Sequence, residues 1–175
     1  YQDALHGAVG LFAASASVER EEWRKYINSV SVDQRFPGIE GLGFVACVRR
    51  AGLDQFIRTT RADKTPYFQV RSPGDGEELF ITKYIEPLGP HFVLLGGDIS
   101  TDPQLRALAE EARDSGDTAT SGALMLATRN GETESGFVMM LPVYRNGQPR
   151  ATPAERRASI EGWVFARFIT AQLMK

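Results

Sequence analysis

The chain opens on a helical rhythm. Leu5, Val9 and Phe12 recur at steps of four and three, which draws one apolar stripe along a helix. Trp23, Tyr26, Ile27 and Val30 repeat the pattern, and Ser17 stands where an N-cap could open a second helix. The two stripes fit either one long kinked helix or a helix pair. A break over residues 33–38, with Pro37 inside it, ends the rhythm.

The period then shortens. Residues 43–49 read as a strand, followed by a short helix carrying Leu53, Phe56 and Ile57. Residues 67–71 and 79–86 read as two more strands. The turn-rich Ser72-Pro73-Gly74-Asp75-Gly76 between them predicts a hairpin. Strict alternation along the second strand puts Phe80, Thr82, Tyr84 and Glu86 on one face. Leu79, Ile81, Lys83 and Ile85 fall on the other. Asp102 as N-cap, Pro103 at the first helical position and Gly116 as C-terminal stop bracket the clearest helix, whose stripe is Leu105, Leu108, Ala109 and Ala112. Residues 118–127, 136–144 and 160–168 follow as a three-strand meander, with Asn130-Gly131 in the turn over residues 128–135.

This order predicts an α+β fold of PAS-like type. It has one antiparallel sheet of about five strands with helices on one face, preceded by a long N-terminal helix or helix pair. Residues 1–35 are expected to form a helical stalk and residues 36–175 the PAS-like domain.

Composition narrows the functions. A chain of 175 residues can bury one substantial core. A formal net charge of −2 predicts no general affinity for nucleic acid or anionic lipid. No stretch approaches the roughly 20 apolar residues of a membrane span. The chain starts at Tyr1 inside helical periodicity, without a signal-peptide pattern. It reads as a piece of a larger protein, with any anchor outside it. Cys47 is the only cysteine, so no intrachain disulfide can form. His6 and His91 are far apart in sequence and have no cysteine cluster to join, so no metal site is expected.

Catalytic motifs are missing. There is no GxSxG elbow, no HExxH and no phosphate-binding glycine loop. Cys47, between Ala46 and Val48, reads as an inert core thiol. Glu77-Glu78 and Glu110-Glu111 read as solvated charge. No catalytic residue and no cofactor are expected, and the chain is not expected to be an enzyme.

The informative segment is GFVMMLPVY, residues 136–144. Phe137, Met139, Leu141 and Val143 make one face apolar; Val138, Met140, Pro142 and Tyr144 make the other apolar too. A half-exposed antiparallel strand would alternate apolar with polar. Here both faces must be covered, one by helices and the other by core, by a partner, or by loops closing over a ligand. Leu124, Met125 and Leu126, and Trp163, Val164 and Phe165, pose the same question. Polar groups that could orient a ligand on neighbouring strands are Thr82, Tyr84, Glu86, Thr120 and Ser121. Asp98 reads either as a ligand-contacting acid or as a cap of backbone N–H groups. Arg145, Arg150, Arg156 and Arg157 read either as contacts for an anion or, in preference, as a solvated loop.

Several segments together resemble CHASE domains, the extracellular sensory domains of histidine kinases, cyclases and related receptors. They are EEWRKYI (21–27), FPGIEGLGFVACV (36–48), YIEPL (84–88), GGDISTDPQLRALAEEARDSGD (96–117), TSGALML (120–126), GFVMMLPVY and EGWVFARF (161–168). Two departures stand out: Gly89-Pro90-His91 replaces a longer polar stretch after the EPL motif, and Asp98 follows a glycine rather than an aromatic residue. The resemblance implies a periplasmic input domain of an inner-membrane protein, acting as a homodimer and held to the membrane only by segments outside this chain. It implies a small-molecule ligand on the sheet face, which points to Thr82, Tyr84, Thr120, Ser121, Leu124, Met140 and Tyr144. The alternative is a dimerisation or protein-interaction module without a small ligand, with Leu5, Val9 and Phe12 as the interface.

Overall fold

Two helices come first. In the computed structural model, which describes residues 1–128 and 130–175, α1 (Gln2–Ala14) and α2 (Arg20–Ser29) are separate. Glu19, not Ser17, opens α2: Glu19 and Glu22 form a capping box in which each side chain accepts from the other's backbone N–H. A single turn, α3 (Val32–Arg35), leads into the sheet.

The sheet comprises β1 (Ile39–Arg49), β2 (Glu78–Glu86), β3 (Ala119–Thr120), β4 (Leu124–Ala127), β5 (Thr133–Tyr144) and β6 (Ile160–Ile169). Their order is β2-β1-β6-β5-β3, with β4 also on β5, and every named strand pairing is antiparallel. Helices α4 (Leu53–Ala62), α5 (Leu88–His91), α6 (Pro103–Ser115), α7 (Pro153–Ser159) and α8 (Thr170–Leu173) complete the chain. The α+β, PAS-like expectation is met, and the meander appears as β3/β4, β5 and β6. The strand expected at 118–127 is split, because residues 121–123 leave the ladder. Within the turn at 128–135, residue 129 lies outside the described residues.

The hairpin expectation is corrected. Residues 67–71 form no strand, and β2 pairs instead with β1 across the intervening α4. The reason is anchorage: Phe68 is fully buried in the core, and its carbonyl accepts from Arg61 Nε of α4 at 2.8 Å. That holds the segment away from the β2 ladder, and its one bridge, Arg71 to Gly97, is made to the stretch that lines the edge of β2.

Both sheet faces carry a core. On one, Leu5, Ala8 and Phe12 of α1 and Trp23 and Ile27 of α2 are buried. The Phe12 ring lies 4.4 Å from that of Phe44, and Trp23 stacks on Tyr84 at 6.0 Å. Residues 1–35 thus lie against the sheet, and Leu5 and Phe12 make intramolecular core contacts. On the other face, Leu108, Ala109 and Ala112 of α6 cover Phe80 and Trp163. Trp163 Nε1 donates to Ala109 O at 2.8 Å. The cap residues of α6 act as their types predict: Asp102 accepts from Gln104 N and Leu105 N, and Gly116 takes the left-handed conformation at φ +76°.

Candidate ligand-binding cavity

Helix α6 covers only part of its face. Over another part lies a cavity of about 360 Å³, at the lower end of the range for small-molecule sites. Its floor is Val45 of β1, Thr82 of β2, Val138 and Met140 of β5, and Phe165 and Arg167 of β6. Leu94, residues 97–99, Asp102, Leu105, Leu126 and Ala127 form its walls, with Val93 and Met125 beside them. Both of those last side chains are 68% exposed, which places apolar surface at the rim.

One wall is hung on the edge of β2. Gly96 N donates to Thr82 O at 2.8 Å, and Thr82 N donates to Gly97 O at 3.0 Å. On its other side the segment bonds Arg71: Arg71 N donates to Gly96 O at 2.9 Å and Asp98 N to Arg71 O at 3.1 Å. Residues 96–98 therefore cover the free β2 edge, which would otherwise expose unpaired backbone groups. Gly96 is required: its φ is +80°, and a Cβ there would sit 1.8 Å from Gln69 O. Asp98 locks the arrangement. Its Oδ1 accepts from Phe80 N at 2.9 Å, Ser100 N at 3.0 Å and Ser100 Oγ at 2.6 Å, while Oδ2 accepts from Ser72 Oγ at 2.7 Å. Of its two readings, the structure shows the cap.

Of the seven residues expected to hold a ligand, the cavity brings together Thr82 and Met140, and of the other residues singled out Asp98, Met125, Leu126, Val138 and Phe165 line it too. Tyr84 lies on the opposite face. The register passes from Phe44–Tyr84 directly to Val45–Thr82, so Lys83 is an extra residue on β2. This bulge inverts the alternation beyond it. The Tyr84 hydroxyl donates to Val18 O at 2.8 Å, with Asp63 Oδ2 at 3.3 Å. Burial, with the Asp63 charge beside it, pushes its pKa above the usual phenol range. Tyr84→Phe is expected to destabilise the fold by about 1–2 kcal/mol, the effect of orphaning the buried Val18 carbonyl, and to leave ligand affinity unchanged. Denaturant unfolding and calorimetric titration of the variant check both parts.

The other candidates lie elsewhere. Thr120 and Ser121 line a separate open groove with Gly136 and Phe137. There the Ser121 hydroxyl donates to Gly122 O and accepts from Val138 N. Leu124 packs half-buried against the α6-side core, outside the cavity lining. Tyr144 donates to Arg113 O at 2.5 Å, under the end of α6. Glu86 borders a second, more polar cavity of about 260 Å³ between α2–α3 and the start of β1, and burial raises its pKa. Arg157 holds the Asp114 carboxyl at about 2 through two hydrogen bonds, with Arg113 adding a third. Cys47 donates to Glu78 at 3.2 Å, and burial pushes its thiol up to about 12, which keeps it unreactive.

Sequence reasoning missed the one charged residue of the cavity floor. Arg167 is only 6% exposed. Its Nη2 donates to Ala127 O at 3.0 Å, whereas Nη1 is buried without a hydrogen-bond partner among the described residues. Burial lowers the guanidinium pKa, and the charge of Glu40 opposes that shift. The signal was present: Trp163, Phe165 and Arg167 alternate onto one face, and an arginine third in that series has no apolar role.

No curated protein matches this sequence. Among solved structures, the chain is similar to the ligand-binding domain of the Pseudomonas aeruginosa PAO1 amino acid chemoreceptor PctC in complex with GABA. The TM-score is 0.51 at 11% identity, over 98% of this chain and 54% of that one. The chain thus spans about half the length of its neighbour, and at such identity the likeness is one of fold. The family model of the CHASE domain matches residues 16–175, from before α2 through the whole sheet. The chain therefore belongs to the CHASE domain family, a family of extracellular sensory domains.

Proposed function

We propose that this domain is the periplasmic input unit of a membrane-anchored histidine kinase or diguanylate cyclase/phosphodiesterase, and that it reports a small molecule held in the cavity beneath residues 93–102. The observation that carries the reading is the partial covering of one sheet face. Val45, Val138, Met140 and Phe165 belong to the α6-side core and also floor an open space, with the exposed apolar side chains of Val93 and Met125 at its rim. The fold neighbour's complex with GABA supports a small ligand on this architecture.

The ligand acts by preferring one of two packings. Residues 93–102 and β4 contact it from above, and β6, which contributes Phe165 and Arg167, runs directly into α8. The helices of residues 1–35 pack on the opposite face of the same sheet. A shift of β6 is therefore felt both by α8 and by the helical layer, which serves as the stalk toward the membrane in a homodimer.

A thermal-shift screen of small metabolites against the purified domain tests the reading. A ligand at about 100 times its Kd stabilises by roughly 2.7 kcal/mol, a rise of several degrees for a domain of this size. Met140→Trp fills the cavity and is expected to erase that shift. Absence of any stabilising compound, or a shift untouched in Met140→Trp, would defeat the assignment.

A further inference from the structure

Arg167 is the one cation lining the cavity among the described residues. A guanidinium carries five N–H donors in a planar fork and stays charged inside proteins. Here one nitrogen bonds Ala127 O, and Nη1 is buried with no hydrogen-bond partner among the described residues. A buried charge with unfilled donors is strongly unfavourable unless an acceptor is supplied. Glu40 contributes an opposing charge but borders the other cavity.

The remaining charges on the walls are Asp98 and Asp102, and both are engaged as caps. Neither fills the unbonded nitrogen of Arg167, and they set a limit on the charge of any guest. One negative charge beside Arg167 is neutralised; a second, facing two carboxylates, is repelled. The floor beyond the guanidinium is apolar, through Val138, Met140 and Phe165. A planar carboxylate matches the guanidinium fork in a paired, charge-assisted geometry.

We propose that the cavity takes a small monocarboxylate with an apolar body, its carboxylate paired with Arg167 and its body laid on Met140, Val138 and Phe165. The proposal rests on the reading of this cavity as the ligand site and names the chemistry that the site selects.

The test is calorimetric titration of the whole domain with butanoate, pentanoate, hexanoate and phenylacetate, each beside its primary amide. The amides keep shape and lose charge. At least one acid is expected to bind, with its amide weaker by roughly tenfold to a hundredfold, the effect of a charge-assisted hydrogen bond. Arg167→Met is expected to abolish the preference and Arg167→Lys to retain part of it. The acid–amide comparison uses the unaltered chain, so it holds even if a variant fails to fold. Equal binding of acid and amide means that a buried water completes Arg167, and overturns the proposal. So does undiminished acid binding in Arg167→Met. If the acids are silent while another compound binds and is lost in Met140→Trp, the proposal fails and the ligand site stands. If nothing binds at all, both fail.

Discussion

Trp163→Ala is expected to lower the unfolding free energy by about 3–5 kcal/mol. For a chain of this length that lowers the midpoint temperature by on the order of 10 °C. Trp163 is completely buried in β6, near the middle of the sheet. Its ring lies 4.6 Å from that of Phe80, and its Nε1 donates to Ala109 O of α6 at 2.8 Å. Truncation removes the largest side chain between the sheet and α6. It also leaves a backbone carbonyl in mid-helix without this second donor. Trp163→Phe restores most of the volume without the hydrogen bond, so it should recover more than half of the loss. Urea unfolding followed by far-UV circular dichroism measures all three proteins. Equal stability of Trp163→Ala and the unaltered chain would show that α6 is not held on the sheet by this contact.

The same neighbourhood separates what was legible in the sequence from what was not. Local signals carried well. The helix bracketed by Asp102, Pro103 and Gly116 forms where its caps lie, since capping needs only residues a few positions apart. The doubly apolar character of residues 136–144 correctly required cover on both sides. Non-local pairing did not carry. Nothing local in residues 96–98 announces that they bond the edge of β2 on one side and Arg71 on the other. Nor does alternation along 79–86 reveal the extra residue at Lys83, because a bulge is defined by its partner strand. That one residue moved Tyr84 from the cavity face to the helix face. Thr82 and Met140 fall on the cavity side as their alternation predicts, because they precede the bulge or lie on an unbroken strand. Arg167 was overlooked because an arginine near the end of a strand ordinarily reaches solvent, and only the roof formed by residues 125–127 keeps it in.

Asp98→Ala is expected to destabilise the domain by about 3 kcal/mol, and to weaken ligand binding with it. The carboxylate is 8% exposed and accepts from Phe80 N, Ser100 N and Oγ, and Ser72 Oγ. Phe80 N is the donor with no route to water, and an orphaned buried donor alone costs about 1–3 kcal/mol. The two serines are partly exposed and recover some of their bonding from solvent. The structural consequence is specific. Asp98 fastens residues 96–98 and the following turn to β2, so its loss frees the wall of the cavity that includes Gly97, Asp98 and Ile99. Asp98→Asn keeps an oxygen for Phe80 N and Ser100 N, while the Ser72 hydroxyl can rotate to accept from the amide. It is therefore expected to retain most of the stability and the affinity. The pair of variants separates the two readings of this acid. A clamp loses stability in the alanine variant and regains it in the asparagine variant, with affinity following stability. A ligand-contacting acid would behave otherwise: both variants would stay folded and both would lose the ligand. Unfolding midpoints measured beside calorimetric affinities decide between them, and the four hydrogen bonds already made by the carboxylate favour the clamp.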